Sequence, residues 1–525
     1  SVERPVSLMP LFAKRCRSGA LIALAAWGMI LMGCQQTQSL ERTLTPPSEL
    51  QSISDEAPFL KAHLQSGDVV IFSEWSVEVG PQRIAGTGHR LGFNRDTLES
   101  GPMRVPVDQV ALFETNRPEP SGSVAALGII TGASLALTAV CAANPKACFG
   151  SCPTFYASAG SDTLLQAEGF SSSIAPSLER TDVDALYRTQ VQGSTFSLRM
   201  TNEALETHMV RQANLLLAPR PPNGRVLRAP DGTFWTTRTL QSPAECTGPE
   251  GDCRSLVAAF DGNERFSQAD STDLATKETI TLAFDSIPTG QAGLVISSRQ
   301  TLMTTFLLYQ TLAYMGTDVG RWLALLERNN DRIRNAAVKD VLGSIEVWAQ
   351  TNSDQWTKVG EAGEHGPLAT DTHLVPLPAL PPGTTTLQLR LTKGNWRLDR
   401  VALADLGARV NPVRVSPAAV HRSGTAAPDA RAQLRDTTQF LITLPGDAYT
   451  LSYDVPTTDA SYEVFLESQG YYLEWMRDAW LEETDPDRVA AMLFEPDQMM
   501  RTLAPAFKAV EPHMEDAFWN SRYER

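Results

Sequence analysis

The densest group of reactive side chains is Asn202-Glu203-Ala204-Leu205-Glu206-Thr207-His208. Carboxylates beside an imidazole are the raw material of acid–base catalysis and of metal coordination. On a helix, Glu203 and His208 would diverge by about 140° around the axis, so Glu203, Glu206 and His208 would not share a face. On a strand, Glu206 and His208 would project to one side and Glu203 to the other. Neither arrangement makes a ready three-ligand site. The segment is expected to be a polar loop between two strands, with no metal. The cysteines offer a second chemistry. Cys148 and Cys152 stand in Cys-Phe-Gly-Ser-Cys-Pro, and Cys246 and Cys253 flank the turn-rich Thr-Gly-Pro-Glu-Gly-Asp. Each pair is expected to close a short disulfide in an oxidising compartment, with Cys141 left as a buried thiol. A four-cysteine zinc site is the alternative, but the spacing matches no common zinc module.

Trp348, Trp356 and Trp396 offer a third chemistry. An outward indole stacks on a sugar ring, whereas an inward one is core, and core packing is the simpler expectation in a sandwich. No Gly-x-Ser-x-Gly elbow, His-Glu-x-x-His, phosphate-binding loop or EF-hand loop occurs in the sequence. His63, His89, His365, His373, His421 and His513 are scattered, and Glu482-Glu483 with Asp485 and Asp487 fit a solvated helix end. No catalytic residue and no cofactor is expected.

The start of the chain carries an address rather than a reaction. Lys14, Arg15 and Arg17 precede an apolar run from Ala20 to Met32, which ends in Leu31-Met32-Gly33-Cys34. A basic stretch, a short apolar stretch and a small residue describe a secretory signal, with Met9 as the expected start. The cysteine directly after Gly33 resembles the lipobox of bacterial lipoproteins, although Met32 departs from the small or β-branched residue usual there. The resemblance implies that Cys34 is acylated and anchors the chain in a membrane. It also implies, through Gln35, sorting to the outer membrane facing the periplasm. The alternative is a buried cysteine in an uncleaved anchor helix.

Charge narrows the partners. The chain has a formal net charge of −15, and the segment before Cys34 holds four basic residues against one acidic, leaving about −18 beyond it. Phosphate recognition demands the opposite sign, so nucleic acid is excluded, as is a polybasic grip on anionic lipid.

The elements that must position these groups read as α+β, mostly β. Residues 1–33 are the signal and 34–58 a polar tether containing Pro46-Pro47. Residues 59–117 alternate as the strands of a small β-domain. Residues 118–147 hold an apolar helix, 148–295 a β-rich domain with hairpins at Ala159-Gly160-Ser161-Asp162 and Asp231-Gly232, and 296–335 a helical insertion broken near Gly316. Residues 336–470 read as a jelly-roll-like β-sandwich, and 471–525 as a helical C-terminus. Val124 to Ala143 lacks charge and would span about 30 Å as a helix, with Gly128 and Gly132 four apart. A single span there would place both cysteine pairs in a reducing space. A buried core helix is therefore expected, with an insertion of another kind or a true span as alternatives.

Cys148-Phe-Gly-Ser-Cys152-Pro153 with Tyr156 resembles a small exported domain of unknown function. Ser344 to Leu406, with its three tryptophans and Asp399, resembles a galactose-binding-like sandwich. The stretches around Glu203 and from Pro445 to Tyr472 resemble the C-terminal part of exported ASPIC/UnbV-type repeat proteins. The whole chain resembles uncharacterised bacterial lipoproteins. These resemblances imply a lipid-anchored envelope protein with a non-catalytic binding or assembly role toward an envelope protein or glycan. The alternatives are an exported hydrolase of envelope polymers and a membrane-embedded assembly component using residues 124–143. The lipobox makes a direct prediction: Cys34→Ser abolishes acyl labelling and membrane partition, whereas equal labelling of both forms would contradict it.

Overall fold

The computed structural model describes residues 39–119, 152–328 and 341–521, apart from short segments within these ranges. Cys34, the apolar stretch 124–143, Cys141 and Cys148 lie outside the described residues. Within them the chain is α+β and mostly β.

The N-terminal sheet A is antiparallel, in the order Ser39–Thr45, Val110–Glu119, Leu60–Leu64, Val69–Glu78, Arg83–Leu91, Thr97–Pro106. Its core gathers Leu60, Val70, Phe72, Ile84 and Phe113. The first strand falls inside the stretch expected to be tether, and it pairs along the last strand of the sheet. A polar strand of this kind has no apolar period to announce it; the pairing edge of Val110–Glu119 creates it.

The body stacks four sheets. Sheet B runs Thr425–Ala426, Ala419–Arg422, Ala448–Asp454, Thr195–Thr201, Thr154–Ala159, Asp162–Glu168. Sheet C runs Val413–Val415, Glu206–Pro219, Tyr462–Glu474, Arg180–Ala185. Sheet D runs Val226–Arg228, Phe234–Gln241, Trp396–Val410, Ala292–Gln300, Asp371–Pro376. Sheet E runs Gly251–Asp252, Glu245–Gly248, Lys277–Ala283, Thr386–Thr392, Ile345–Asn352, Gln355–Ala362. Three hydrophobic layers separate them. Leu215 and Leu217 of sheet C meet Leu198 and Leu451 of sheet B. Leu216 and Ala218, from the other face of the same strand, meet Val295 and Ala402 of sheet D. Leu294 and Ile296 of sheet D then face Val347 and Leu389 of sheet E. Sheets C and D are thus buried on both faces, which explains why Leu215-Leu216-Leu217-Ala218 and Leu294-Val295-Ile296 run apolar without alternation. Thr195–Thr201, with one wet face, alternates exposed and buried.

One end of the stack is covered by helices: α1 (Met303–Met315), α2 (Val319–Arg328), α3 (Asp478–Leu481), α4 (Pro486–Phe494) and α5 (Pro496–Ser521). Phe306, Leu312, Trp480, Met492, Met500 and Phe507 form their core. Gly316 ends α1 at φ 47°, and a Cβ there would lie 2.1 Å from the Thr484 hydroxyl. Residue 316 therefore has to be glycine both for its backbone and for its contact. Glu515 on α5 bonds Arg299 and Arg397 of sheet D and fixes the helix to the sheet.

The expected division of the body does not hold. The strands of residues 336–470 are shared among sheets B, C, D and E rather than forming their own sandwich. Tyr471 and Tyr472 lie in the strand Tyr462–Glu474, not in the helical C-terminus, because that strand pairs along Glu206–Pro219 to its end. Cys246 and Cys253 are disulfide-bonded and buried, with Cα atoms 5.1 Å apart. Replacing both with serine is expected to cost about 2–3 kcal/mol from unfolded-state entropy. The measurement is the denaturant midpoint; an unchanged midpoint would contradict it.

Candidate functional site

Two places in the fold gather the side chains singled out in the sequence. The first lies where sheet C meets the helices. Residues 202–205 form the connection expected between two strands, Thr195–Thr201 and Glu206–Pro219, but the second strand begins at Glu206: pairing of Glu206 with Glu474 and of His208 with Tyr472 draws these two residues into the sheet. Glu206 and His208 share a face, and His208 Nε2 lies 2.6 Å from Glu206 Oε1. Glu203 points elsewhere and accepts bonds from the Tyr156 hydroxyl at 2.9 Å and the Thr201 hydroxyl at 3.0 Å.

Residues distant in sequence complete this cluster. Tyr309 on α1 donates to Glu474 Oε1 at 3.2 Å, and Arg477 Nη2 lies 3.0 Å from Glu474 Oε2. Arg477 also donates to the Leu205 carbonyl and lies over the Trp480 ring. The Trp475 indole donates to the Thr207 hydroxyl at 2.8 Å, and its ring stacks on His63 of sheet A at 5.5 Å. His63 in turn meets Glu114 at 2.8 Å. Glu474 and Arg477 gave one faint signal in the sequence: a carboxylate and a guanidinium three apart amid Tyr471, Tyr472, Leu473, Trp475 and Met476. A charged pair in apolar company is a buried pair.

Burial, opposed by Arg477 and reinforced by the Glu206 charge, pushes the Glu474 carboxyl up to about 8. Burial likewise lifts Glu168 to about 7 against bonds from the Leu368 and Ala369 backbone. Cys152 is a buried free thiol, pushed up by burial and by the charges of Glu168 and Glu206, and it donates to the Ser171 carbonyl at 3.6 Å. Its expected partner Cys148 lies outside the described residues.

A histidine with two carboxylates has the composition of an acid–base site, but this one is closed. The Glu206 and His208 side chains are 0% and 1% exposed. The cluster ties the end of sheet C to α1 and α3. Among the described residues, no group of three or more His, Cys, Asp or Glu has a geometry that could hold a metal ion.

The second place is the outer face of sheet E. Ile345, Val347 and Ala349 point into the core, as do Leu387, Leu389 and Leu391. The intervening Glu346, Trp348, Gln350, Gln388 and Arg390 therefore point outward, half-buried among themselves. Trp356 sits opposite Gln350, and Lys358 opposite Trp348, on the neighbouring edge strand. Thr279 and Thr281 extend the face beside Arg390 and Gln388. The Arg390 guanidinium lies over the Trp348 ring at 3.9 Å. The Trp348 indole donates to Glu346 at 2.9 Å, and Lys358 bridges Glu346 and Glu361 at 2.9 and 2.7 Å. Burial opposes ionisation of Glu346, but the bonds from Lys358 and Trp348 outweigh it and hold the carboxyl below its usual range. Trp396 is different: it is 1% exposed within the core between sheets D and E, so it is unavailable to a ligand.

No protein-family model matches the chain, and no curated protein does. Among solved structures, the secreted serine protease VesC from Vibrio cholerae aligns over 72% of this chain and 97% of its own, at 7% identity and a TM-score of 0.13. A likeness at that score carries no argument about fold or activity. Among the described residues, no helix is long and apolar enough to cross a membrane.

The buried cluster predicts a pH dependence. Glu474 in the folded chain keeps a proton up to about 8, whereas the unfolded carboxyl releases it near its ordinary value of 4.5. Between those limits the folded state binds the extra proton, so this group's contribution to stability falls as pH rises. Thermal unfolding followed from about pH 5 to about pH 9 should show a decline that Glu474→Gln reduces. An identical slope in the variant would contradict this.

Proposed function

We propose that the chain is a lipid-anchored binding protein of the cell envelope, with a non-catalytic role and a glycan-binding surface on the outer face of sheet E. The observation that carries this reading is the pair Trp348 and Trp356 at outward positions of a sheet whose other outward residues are polar. A sandwich needs only polar residues on its wet face, and planar indoles flanked by amide, hydroxyl and guanidinium groups match the alternating apolar and hydroxylated faces of sugar rings. Trp356 offers the stacking surface; Trp348 holds Arg390 in place.

The anchor and the compartment rest on Cys34 and Gln35 and on the lipobox resemblance. The exported-hydrolase reading draws no support from the Glu206–His208–Glu474 cluster, which is closed to solvent. A strongly acidic chain also suits a partner other than nucleic acid.

The test is co-sedimentation of the full-length chain with purified peptidoglycan sacculi, chitin and insoluble xylan. The wild type should bind at least one of them. Trp356→Ala should weaken that binding about tenfold, the loss of roughly 1.4 kcal/mol expected for one stacked ring. Thr279→Ala, elsewhere on the face, should change it far less. Circular dichroism should be unchanged in each variant, because these side chains face outward. Binding that survives Trp348→Ala with Trp356→Ala undiminished would remove the proposal.

A further inference from the structure

We infer that the ligand of the sheet E face is an acidic glycan, one that presents carboxylate groups to Arg390. This inference rests on the glycan-binding reading above and names the class of sugar.

Lys358 is held between Glu346 and Glu361, two carboxylates for one ammonium. Lys277 at the end of the neighbouring strand turns to the Val341 and Leu342 carbonyls and the Thr392 hydroxyl. Arg390 is arranged otherwise. Glu346 is its direct cross-strand neighbour, yet the Glu346 carboxylate is committed to the Trp348 indole and to Lys358. The guanidinium instead lies flat over Trp348 and gives one bond, from Nη2 to Gln388 Oε1 at 3.2 Å. Among the described residues, no carboxylate forms a salt bridge with it.

A guanidinium has five donors in a rigid fork. Stacking on an indole orients that fork without using it, and lowers the entropy lost when a ligand binds. The Gln388 contact occupies one donor on one edge. A carboxylate accepts two parallel bonds from such a fork, whereas a neutral hydroxyl accepts one and leaves the charge uncompensated. An arginine that is oriented on Trp348 and has no direct ion pair selects the carboxylate. The chain's net charge of −15 repels polyanions in general, so attraction has to be local, through this fork.

The test uses the full-length chain and three soluble polymers: polygalacturonate, which carries carboxylates; xylan, its neutral counterpart; and dextran sulfate, a polyanion without carboxylate. Binding is read by intrinsic tryptophan fluorescence and by calorimetry. The wild type should bind polygalacturonate at least tenfold more tightly than either of the others. Arg390→Gln should remove that margin while leaving xylan binding unchanged, and Arg390→Lys should restore only part of it, since it returns the charge without the fork. Equal wild-type affinity for polygalacturonate and xylan, both weakened by Trp356→Ala, would overturn the inference and leave the glycan-binding reading standing. Equal affinity for polygalacturonate and dextran sulfate would overturn it by showing unspecific charge attraction. Indifference of all three polymers to Trp356→Ala would overturn the glycan reading and this inference together.

Discussion

Burial of sheets C and D on both faces governs the architecture. A strand in either sheet has no wet side, so it is stable only with a neighbouring layer above and below it. Leu216 requires sheet D, Leu215 requires sheet B, and Leu294 requires sheet E. Among the described residues of the stack, the outer sheets B and E have a face left for solvent. Among the described residues, those two faces, the helical end and sheet A offer surface for contact. Of these, sheet E carries two tryptophans in outward register.

The helical end sets a second constraint. Where sheet C stops, the Glu206–His208 pair, Glu474, Arg477 and Tyr309 meet in a space closed to water. Buried charge is costly unless paired, and removing one member of such a pair leaves the other exposed to a low dielectric. The arrangement specifies how α1 sits on the strand Tyr462–Glu474 more sharply than apolar contact would. Trp475 extends the same junction to His63, so sheet A, the helices and the stack share one corner.

Local features were legible in the sequence where a single segment decides them. Asp231-Gly232 announced a hairpin, and Gly232 adopts φ 79° there. The break at Gly316 and the alternation of Thr386 to Leu391 are likewise local. Partnership was not legible. Glu206–Pro219 pairs with Tyr462–Glu474 from the far end of the chain, and no periodicity records that choice. For the same reason the residues 336–470 looked like one sandwich although their strands supply four sheets. Alternation gave the inward and outward sides of each strand, but not which side a bulge or an edge would leave open. Trp348 and Trp396 read alike in the sequence, and only the sheets separate the outward one from the buried one.

The central claim is that the outer face of sheet E is where this protein meets its ligand. Hydrogen exchange read by mass spectrometry tests it most directly, comparing the full-length chain alone and with saturating polygalacturonate. Added protection in residues 345–362 and 386–392, with the segment 471–477 unchanged, is the result expected. Protection centred on 471–477, or none in sheet E at saturation, would contradict the account.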